Sequence, residues 1–303
     1  MPRTRTTTTT TAKTTTTASA SASAPASAPG QGPAMHRSER VTAILERLAG
    51  GGSLDVAGVA DELGVSVATV RRDLMLLDEQ NLLMRTRGGA VGFAVPGCEV
   101  PVRYRDARGR AAKRAIARTA LRCVPSGPQV LAVNGGTTTG ELARMLATRS
   151  GLTVVTNALN IADVLVNSPR VKLVVTGGVA RSTSSELVGP WAERTFGGVT
   201  VDLVFIGVDG IDAAGLSTHD EAEAHINAVM IERARRVVVL ADGSKIGRRR
   251  RAHVADLAAV DELVTDASAD RAELAALAAC GVSVRVAEVA AEVEKLRQHA
   301  PSW

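Results

Sequence analysis

Aromatic residues make up only 2% of this chain: three Phe, two Trp and one Tyr among 303 residues. A core made with so few of them must be built from Val, Leu, Ile and Ala, the usual filling of parallel α/β sheets. The same scarcity argues against a surface that stacks single-stranded bases. Cysteine is rarer still, and Cys98, Cys123 and Cys280 stand far apart in odd number. That argues against a disulfide framework or a zinc site and fits a reducing, cytoplasmic compartment. His219 and His225 lie six apart and do not share a helical face, so no metal is expected, and no cofactor either. No stretch approaches the ~20 apolar residues needed to cross a bilayer, which leaves a membrane out of the expected partners. Charge of one sign is also scarce, the formal net charge being +5. It is unevenly placed: eight Arg and Lys between Gly92 and Arg122 face only Glu99 and Asp106. That basic segment reads equally as an extension of a phosphate contact and as a solvated charge run.

Residues 1–34 lack apolar periodicity altogether. TRTTTTTTAKTTTTASASASAPASAPGQGPA is low in complexity and cannot bury enough surface to offset chain entropy, so disorder is expected. It has no apolar central stretch of the kind a secretory signal needs. The chain as a whole is 45% apolar, enough for a large core, and its length predicts two domains.

What the chain does carry begins with a helix predicted over 37–48, with Val41, Ile44, Leu45 and Leu48 on one face. A second helix is predicted over 56–63 and a third over 67–80, where Val67, Val70, Leu74 and Leu77 recur at helical spacing. Ser66, just ahead of that pattern, suits an N-cap. Arg72 lies about 200° round from Val70, at ~100° per residue, and so points away from the core between Thr69 and Arg71. A short Arg-tipped helix after a tight turn has the shape that enters a major groove. Arg85 and Arg87 alternate on one strand face before Gly88-Gly89, as a hairpin wing over phosphates requires. The candidate DNA-binding residues are therefore Ser66, Thr69, Arg71, Arg72, Arg85 and Arg87, with double-stranded DNA as the partner. This module spans 35–91. Residues 92–110, with Pro96, Gly97 and Pro101, break both periods and read as a linker.

The stretch VSVATVRRDLMLLDEQNLLMRTRGGAV resembles the winged helix-turn-helix of the DeoR family of bacterial sugar-metabolism repressors. That family's signature is a VS-x-x-TIRRDL helix, a Leu-rich continuation and a basic wing ending in GGA. Val70 stands where Ile is usual and Asn81 where Gly commonly sits; Asn tolerates a left-handed backbone at a helix end, so the exchange is mild. Met35 falls where a domain of this family begins, and it is read as the true start, with the leader an extension.

A helix over 111–123 opens the larger domain, 111–288. QVLAVNGGTTT, LTVVTNALN, VKLVVTGGVARSTSS, VDLVFIGVDGI and RVVVLADGSK are short apolar strands that each end in small polar residues. Helical runs over 139–146 and 158–166 lie between them, and such alternation predicts a parallel sheet with covered faces. In these sheets ligands bind at the carboxyl ends of the strands. Gly135 and Gly136 let backbone amides approach a ligand, Thr137 and Thr138 add hydroxyls, and a helix N-terminus there favours phosphate. Gly177, Gly178 and Arg181 offer a second small, cation-bearing edge. Lys245 can supply a charge to a phosphate or sugar hydroxyl, and Asp209 can accept hydroxyl hydrogen bonds. Any one Gly-rich turn is ordinarily a strand-helix connection; several converging ones point to a site.

NGGTTTGELA, TNALNIADVL, TGGVARSTSSELVGP, DLVFIGVDGI, EAEAHINAVMI and LADGSKIG are similar, in that order, to the sensor domain of the same family. The resemblance implies a fold shared with ribose-5-phosphate isomerase and a phosphorylated sugar as inducer. It implies phosphate contacts from Gly136, Thr137, Thr138 and Lys245, with Asp209 and Glu223 facing the sugar. Asn134 stands where the family usually has Asp, and Ala228 where Arg or Lys is common, which puts the identity of the effector in doubt.

The expected fold class is thus an α/β sensor domain, a parallel ribose-5-phosphate-isomerase-like sheet, behind a small N-terminal winged helix-turn-helix. The expected function is a cytoplasmic, homo-oligomeric repressor of carbohydrate-metabolism genes, relieved by a phosphorylated sugar. Two alternatives stand beside it. One is a DNA-binding regulator with a non-responsive sensor, motivated by Asn134 and Ala228. The other is a sugar-phosphate isomerase using Asp209, Glu223 and Lys245, against which Gly207 and Val208 replace part of the related enzymes' acidic motif. Arg248, Arg249, Arg250 and Arg251 are read as a solvated loop and Trp191 as a packing residue. The tail, 289–303, with Val293 and Leu296, is read as an oligomer contact or a frayed end.

Overall fold

Helical periodicity sets the architecture of the first module in the computed structural model, which describes residues 35–49, 53–80, 82–92, 99–105 and 109–288. The expectations for the leader, the tail, Asn81, Pro96 and Gly97 lie outside the described residues. Helix α1 (Arg37–Ala49) is followed by strand β1 (Ser53–Asp55), helices α2 (Val56–Glu62) and α3 (Val67–Glu79), and a hairpin of β2 (Leu83–Thr86) and β3 (Gly89–Gly92). Val41, Ile44, Leu45 and Leu48 of α1 meet Val59, Val70, Leu74 and Leu77 in one buried cluster. Asp55 caps α2, its carboxylate accepting from the Gly58 amide at 2.8 Å. Ser66 caps α3, its hydroxyl accepting from the Thr69 amide at 3.1 Å. Asp73 is buried on α3 and ties it to α1 through Arg40 Nε at 2.9 Å.

Three details differ from the sequence reading. Val67 is not part of the cluster but 38% exposed, because it begins α3 immediately after the cap, at the rim of the core. Thr86 pairs directly with Gly89, leaving Arg87-Gly88 as a two-residue loop, so Arg87 sits in the turn rather than on the strand beside Arg85. Strand β1 joins the wing through Leu54↔Ala90, in a three-residue segment too short to show alternation. The segment read as linker is partly ordered as well. Helix α4 (Val102–Arg105) packs on α1, with Val102 buried and Tyr104 against the first module's core.

Helix α5 (Arg110–Leu121) leads into β4 (Gln129–Val133), α6 (Thr137–Leu146), β5 (Leu152–Thr156), α7 (Leu159–Leu165) and β6 (Val171–Val175). A hairpin, β7 (Val179–Ala180) and β8 (Leu187–Val188), precedes α8 (Pro190–Gly197), β9 (Leu203–Gly207), β10 (Gly210–Asp212) and β11 (Gly215–Thr218). The remainder is α9 (Glu221–Glu232), β12 (Val237–Leu240), β13 (Ala252–Ala255), β14 (Glu262–Asp266), α10 (Arg271–Ala279) and β15 (Ser283–Ala287). Seven strands form one parallel sheet in the order β15-β14-β12-β9-β4-β5-β6. Side chains alternate between its faces. Leu131, Val133, Phe205, Val238 and Leu240 pack under α5, α6 and α7. Ala132, Val204, Ile206, Val237 and Val239 face α8, α9 and the small antiparallel sheet β10-β11-β13.

All five apolar strands found in the sequence are in this sheet; β14 and β15 lie beyond them. Glu262 disguised β14, being a carboxylate only 2% exposed that takes Arg236 Nη2 at 2.5 Å and also pairs with Arg285. Among the described residues no helix is long and apolar enough to cross a membrane.

Candidate functional site

The chain runs from β4 outward through β5 and β6, then returns to lay β9 on the other side of β4. That reversal makes the gap between the carboxyl ends of β4 and β9 the place where a parallel sheet opens a crevice. A cavity of about 320 Å³ lies there. The β4 end contributes Asn134, Gly135, Gly136, Thr137, Thr138 and Thr139, and the β9 end Gly207, Val208 and Asp209. Asp242, Ser244 and Lys245 enter from the end of β12, Asp266 and Ser268 from β14, and Glu223 from α9. Thr42 and Glu46 of α1, Glu99 and Arg105 from the α4 segment, and Glu186 also line it.

Close packing explains the glycine at the β4 end. A Cβ on Gly135 would lie 2.4 Å from Glu186 Oε1, so any larger residue would have to displace that buried side chain. Gly136 then caps α6 with φ 136°, and the first amides of that helix have no intrahelical acceptors. The Thr139 hydroxyl is buried beside them without a hydrogen-bond partner in the protein. Asn134 is buried and clamps the two strands. Its amide accepts from Gly207 N at 2.7 Å and donates to Gly207 O at 3.0 Å and Asn227 Oδ1 at 3.2 Å. A carboxylate could not donate in this way, which accounts for an amide at this position. Ala228 does not line the cavity.

Asp209 is the electrostatic hub. It receives Thr218 Oγ1 at 3.0 Å, with His219 Nδ1 at 2.8 Å, Arg105 Nη1 at 3.1 Å and Lys245 Nζ at 3.6 Å. Burial alone would raise its pKa, but the His219 hydrogen bond, Arg105 and Lys245 hold the carboxyl well below the usual carboxylate range. Arg181 pairs with Glu223, with Asp220 at 3.3 Å and with Glu99 at 3.6 Å. Burial works against its charge, and those three carboxylates more than restore it. Glu99 is shifted upward by burial, with Arg105 opposing. Glu99, Asp209 and His219 come close together; the Arg105 guanidinium pairs with the two carboxylates, and the His219 ring hydrogen-bonds Asp209.

Glu186 behaves differently. Burial first, and Glu223 second, push its carboxyl up to about 8, against the Asn157 amide that donates to it at 3.1 Å. The folded protein thus keeps a proton that the unfolded chain releases near 4.5. That contribution to stability is fully present below 4.5 and is lost as pH rises through about 8. Glu186→Gln, which mimics the protonated form, is expected to gain thermal midpoint relative to the wild type as pH rises from about 5 to 8. Melting curves at several pH values check this, and a constant difference across the range would refute it.

Of the candidate effector residues, Asn134, Gly135, Gly136, Thr137, Thr138, Asp209, Glu223 and Lys245 share the cavity. Arg181 stands behind it and meets it through Glu223. Gly177 and Gly178 do not line it. They turn the chain into the β7–β8 hairpin, where Gly178 packs so tightly that a Cβ would sit 2.8 Å from Val188 O. Sequence reasoning missed Glu99, Arg105, Thr139, Glu186 and His219. Arg248 to Arg251 are more than a solvated loop: Arg249 Nε meets Asp212 at 2.8 Å and Arg250 Nε donates to Asp209 O at 3.2 Å. Trp191 is 67% exposed rather than packed.

On the first module, Arg71, Arg72, Arg85 and Arg87 are all exposed, and Thr69 is half-buried beside its hydrogen bond to Ser66. The buried face of α3, Val70, Leu74 and Leu77, turns the arginine face outward.

Residues 40–93 match the model of the DeoR-like helix-turn-helix domain, and residues 109–267 that of the DeoR C terminal sensor domain. An HTH-type transcriptional regulator of Haloferax volcanii, GlpR, is 36% identical over 248 residues, covering 82% of this chain and 96% of its own. The glycerol-3-phosphate regulon repressor of Escherichia coli strain K12 is 31% identical over 236 residues, covering 77% of this chain and 92% of its own. Among solved structures, a D-ribose-5-phosphate isomerase in complex with phospho-erythronic acid aligns at 16% identity and a TM-score of 0.34, over 44% of this chain and 52% of its own.

Proposed function

Because the chain belongs to the DeoR family of helix-turn-helix transcriptional regulators, we propose that it is a repressor released from its operator by a phosphorylated sugar or polyol bound in the β4–β9 cavity. It is a regulator and not an enzyme, as its relatives are. On the operator, Arg71, Arg72 and Thr69 would meet base edges or adjacent phosphates in the major groove, with Arg85 and Arg87 on the flanking backbone. Two copies of the module in a homo-oligomer address paired half-sites.

One observation carries the effector assignment. A single cavity joins one end, the free amides of α6, to a second, the carboxylates Asp209 and Glu223, and Lys245 lines it too, 3.6 Å from Asp209 Oδ1. A phosphate suits the first, where helix amides are free, and Lys245 in the same cavity can supply a counter-charge. Sugar hydroxyls suit the second, because carboxylates accept their hydrogen bonds. The wall also includes Thr42 and Glu46 of α1, a helix of the DNA reader, so both modules border the space an occupant would fill. The E. coli relative's name, which refers to glycerol 3-phosphate, supports the same ligand chemistry. Asp209, Glu223 and Lys245 remain in the cavity despite Asn134 and Ala228, which favours a responsive sensor. Release requires that the ligand prefer one arrangement of the modules over the other; a coupling of about 1–3 kcal/mol is typical of such switches.

Calorimetric titration of the full chain with phosphorylated sugars and polyols, each beside its unphosphorylated counterpart, tests the assignment. A phosphorylated member is expected to bind and its counterpart to fail. Binding that ignores the phosphate, or no binding across a broad panel, would refute it.

A further inference from the structure

The short helix α4 reaches the acidic end of the cavity and the recognition helix at once. Arg105 Nη2 lies 2.8 Å from Glu99 Oε1 and Nη1 3.1 Å from Asp209 Oδ1. One residue earlier, the Tyr104 hydroxyl donates to Gln80 Oε1, and Gln80 is the C-cap of α3. Arg103 Nη2 reaches the same oxygen at 3.3 Å and its guanidinium lies over the Tyr104 ring, 4.9 Å from the centroid. The Tyr104 carbonyl accepts from the Thr42 hydroxyl of α1, and the Arg105 carbonyl from Lys113 Nζ at 2.6 Å. Three consecutive residues therefore hold the end of the recognition helix, the first helix of the DNA reader and the hub carboxylate of the cavity.

Asp209 is surrounded by Thr218, His219, Arg105 and Lys245, so a sugar hydroxyl reaches it only if one of them moves. Thr218 is fixed in β11, His219 follows it directly, and Lys245 is held in the turn after β12, where its amide donates to the Asp242 carbonyl. Arg105 comes from a helix of four residues. Its guanidinium offers two N–H donors to two carboxylates, the same pattern that a pair of neighbouring sugar hydroxyls would offer. We propose that Arg105 is a built-in competitor for the hydroxyl end of the cavity, and that its displacement draws α4 away from Gln80, making α4 the link between ligand and recognition helix. This rests on the reading of the cavity as the effector site. In a repressor released by its ligand, the ligand-free arrangement is the one that holds DNA, so cutting the link weakens DNA binding even without ligand.

The test measures affinity of the ligand-free full chain for a duplex selected from a random-sequence pool on the wild-type protein. Arg105→Gln and Tyr104→Phe are each expected to weaken binding about tenfold, and the double variant no more than either alone, because both cut one link. Gln80→Ala, at the exposed end of the contact, should reproduce the loss and guards against misfolding at Arg105. Unchanged affinity in the single variants, or losses that multiply to about a hundredfold in the double, would overturn the proposal. No ligand enters this assay. A chain that binds no phosphorylated polyol but shows the non-additive cycle therefore refutes the effector assignment alone, whereas normal release with an additive cycle refutes the link alone.

Discussion

Arg72→Ala is expected to weaken binding to a selected operator duplex by roughly 10- to 100-fold, about 1–3 kcal/mol, while leaving the thermal midpoint where it is. The expectation rests on what the side chain does not do. Arg72 is exposed on α3, opposite Val70 and Leu74, which are buried in the module's core. Its neighbour Asp73 makes the structural ion pair with Arg40, so truncating Arg72 leaves that contact in place. The cost therefore falls on DNA. How it falls separates two roles. A base contact would relax sequence preference at one position, whereas a phosphate contact would weaken all duplexes alike and lower the salt slope by about one. Unchanged affinity would take Arg72 out of the interface.

The second large effect is on the effector. Lys245→Ala is expected to weaken binding of the phosphorylated ligand by roughly 10- to 100-fold, in line with the ~1.5–3 kcal/mol of a hydrogen bond to a charged group. Release of DNA at a fixed ligand concentration should be lost with it. The fold should tolerate the change, because Asp209 keeps Arg105, Thr218 and His219 when Lys245 leaves. Lys245 is itself only 22% exposed at a strand end, which suits a charge that is used rather than one that is merely solvated. Full release by the ligand in Lys245→Ala would remove this residue from the phosphate site.

The sequence made the scaffold legible wherever one physical signal dominated. Three helices and their shared core followed from Val, Leu and Ile at helical spacing. Five of the seven sheet strands followed from apolar runs ending in small polar residues. Asn134 to Thr138, Asp209, Glu223 and Lys245 converge because strand ends of a parallel sheet meet at its switch point. The rest was hidden for identifiable reasons. Glu99 and Arg105 sit near Pro101 in a stretch without period, where charge reads as solvation, although the fold turns both into the cavity. Glu262 made β14 look polar because its partners, Arg236 and Arg285, come from distant segments. Glu186 gave no signal, since its shift comes from burial against Gly135 and the neighbouring Glu223, both tertiary effects. Gly177 and Gly178 carried the composition of a binding turn but serve a hairpin whose close packing no local pattern announces.

The same contrast shows at Asn134, a departure from the family pattern. A missing charge at Asn134 reads in sequence as a weakened site. In the structure the side-chain amide bonds both backbone groups of Gly207, a task that needs a donor and an acceptor on one residue. The effect of that position is thus on the alignment of β4 with β9, and through it on the spacing between the α6 amides and Asp209.

The central claim is that one cavity and one DNA-reading helix are thermodynamically linked, and linkage is reciprocal. The most direct test measures the affinity of the full chain for its best phosphorylated ligand twice, free in solution and saturated with operator duplex. The account predicts weaker ligand binding on DNA, by the same factor, about 5- to 150-fold for couplings of the usual size, by which saturating ligand weakens the duplex. Equal ligand affinity on and off DNA would contradict it.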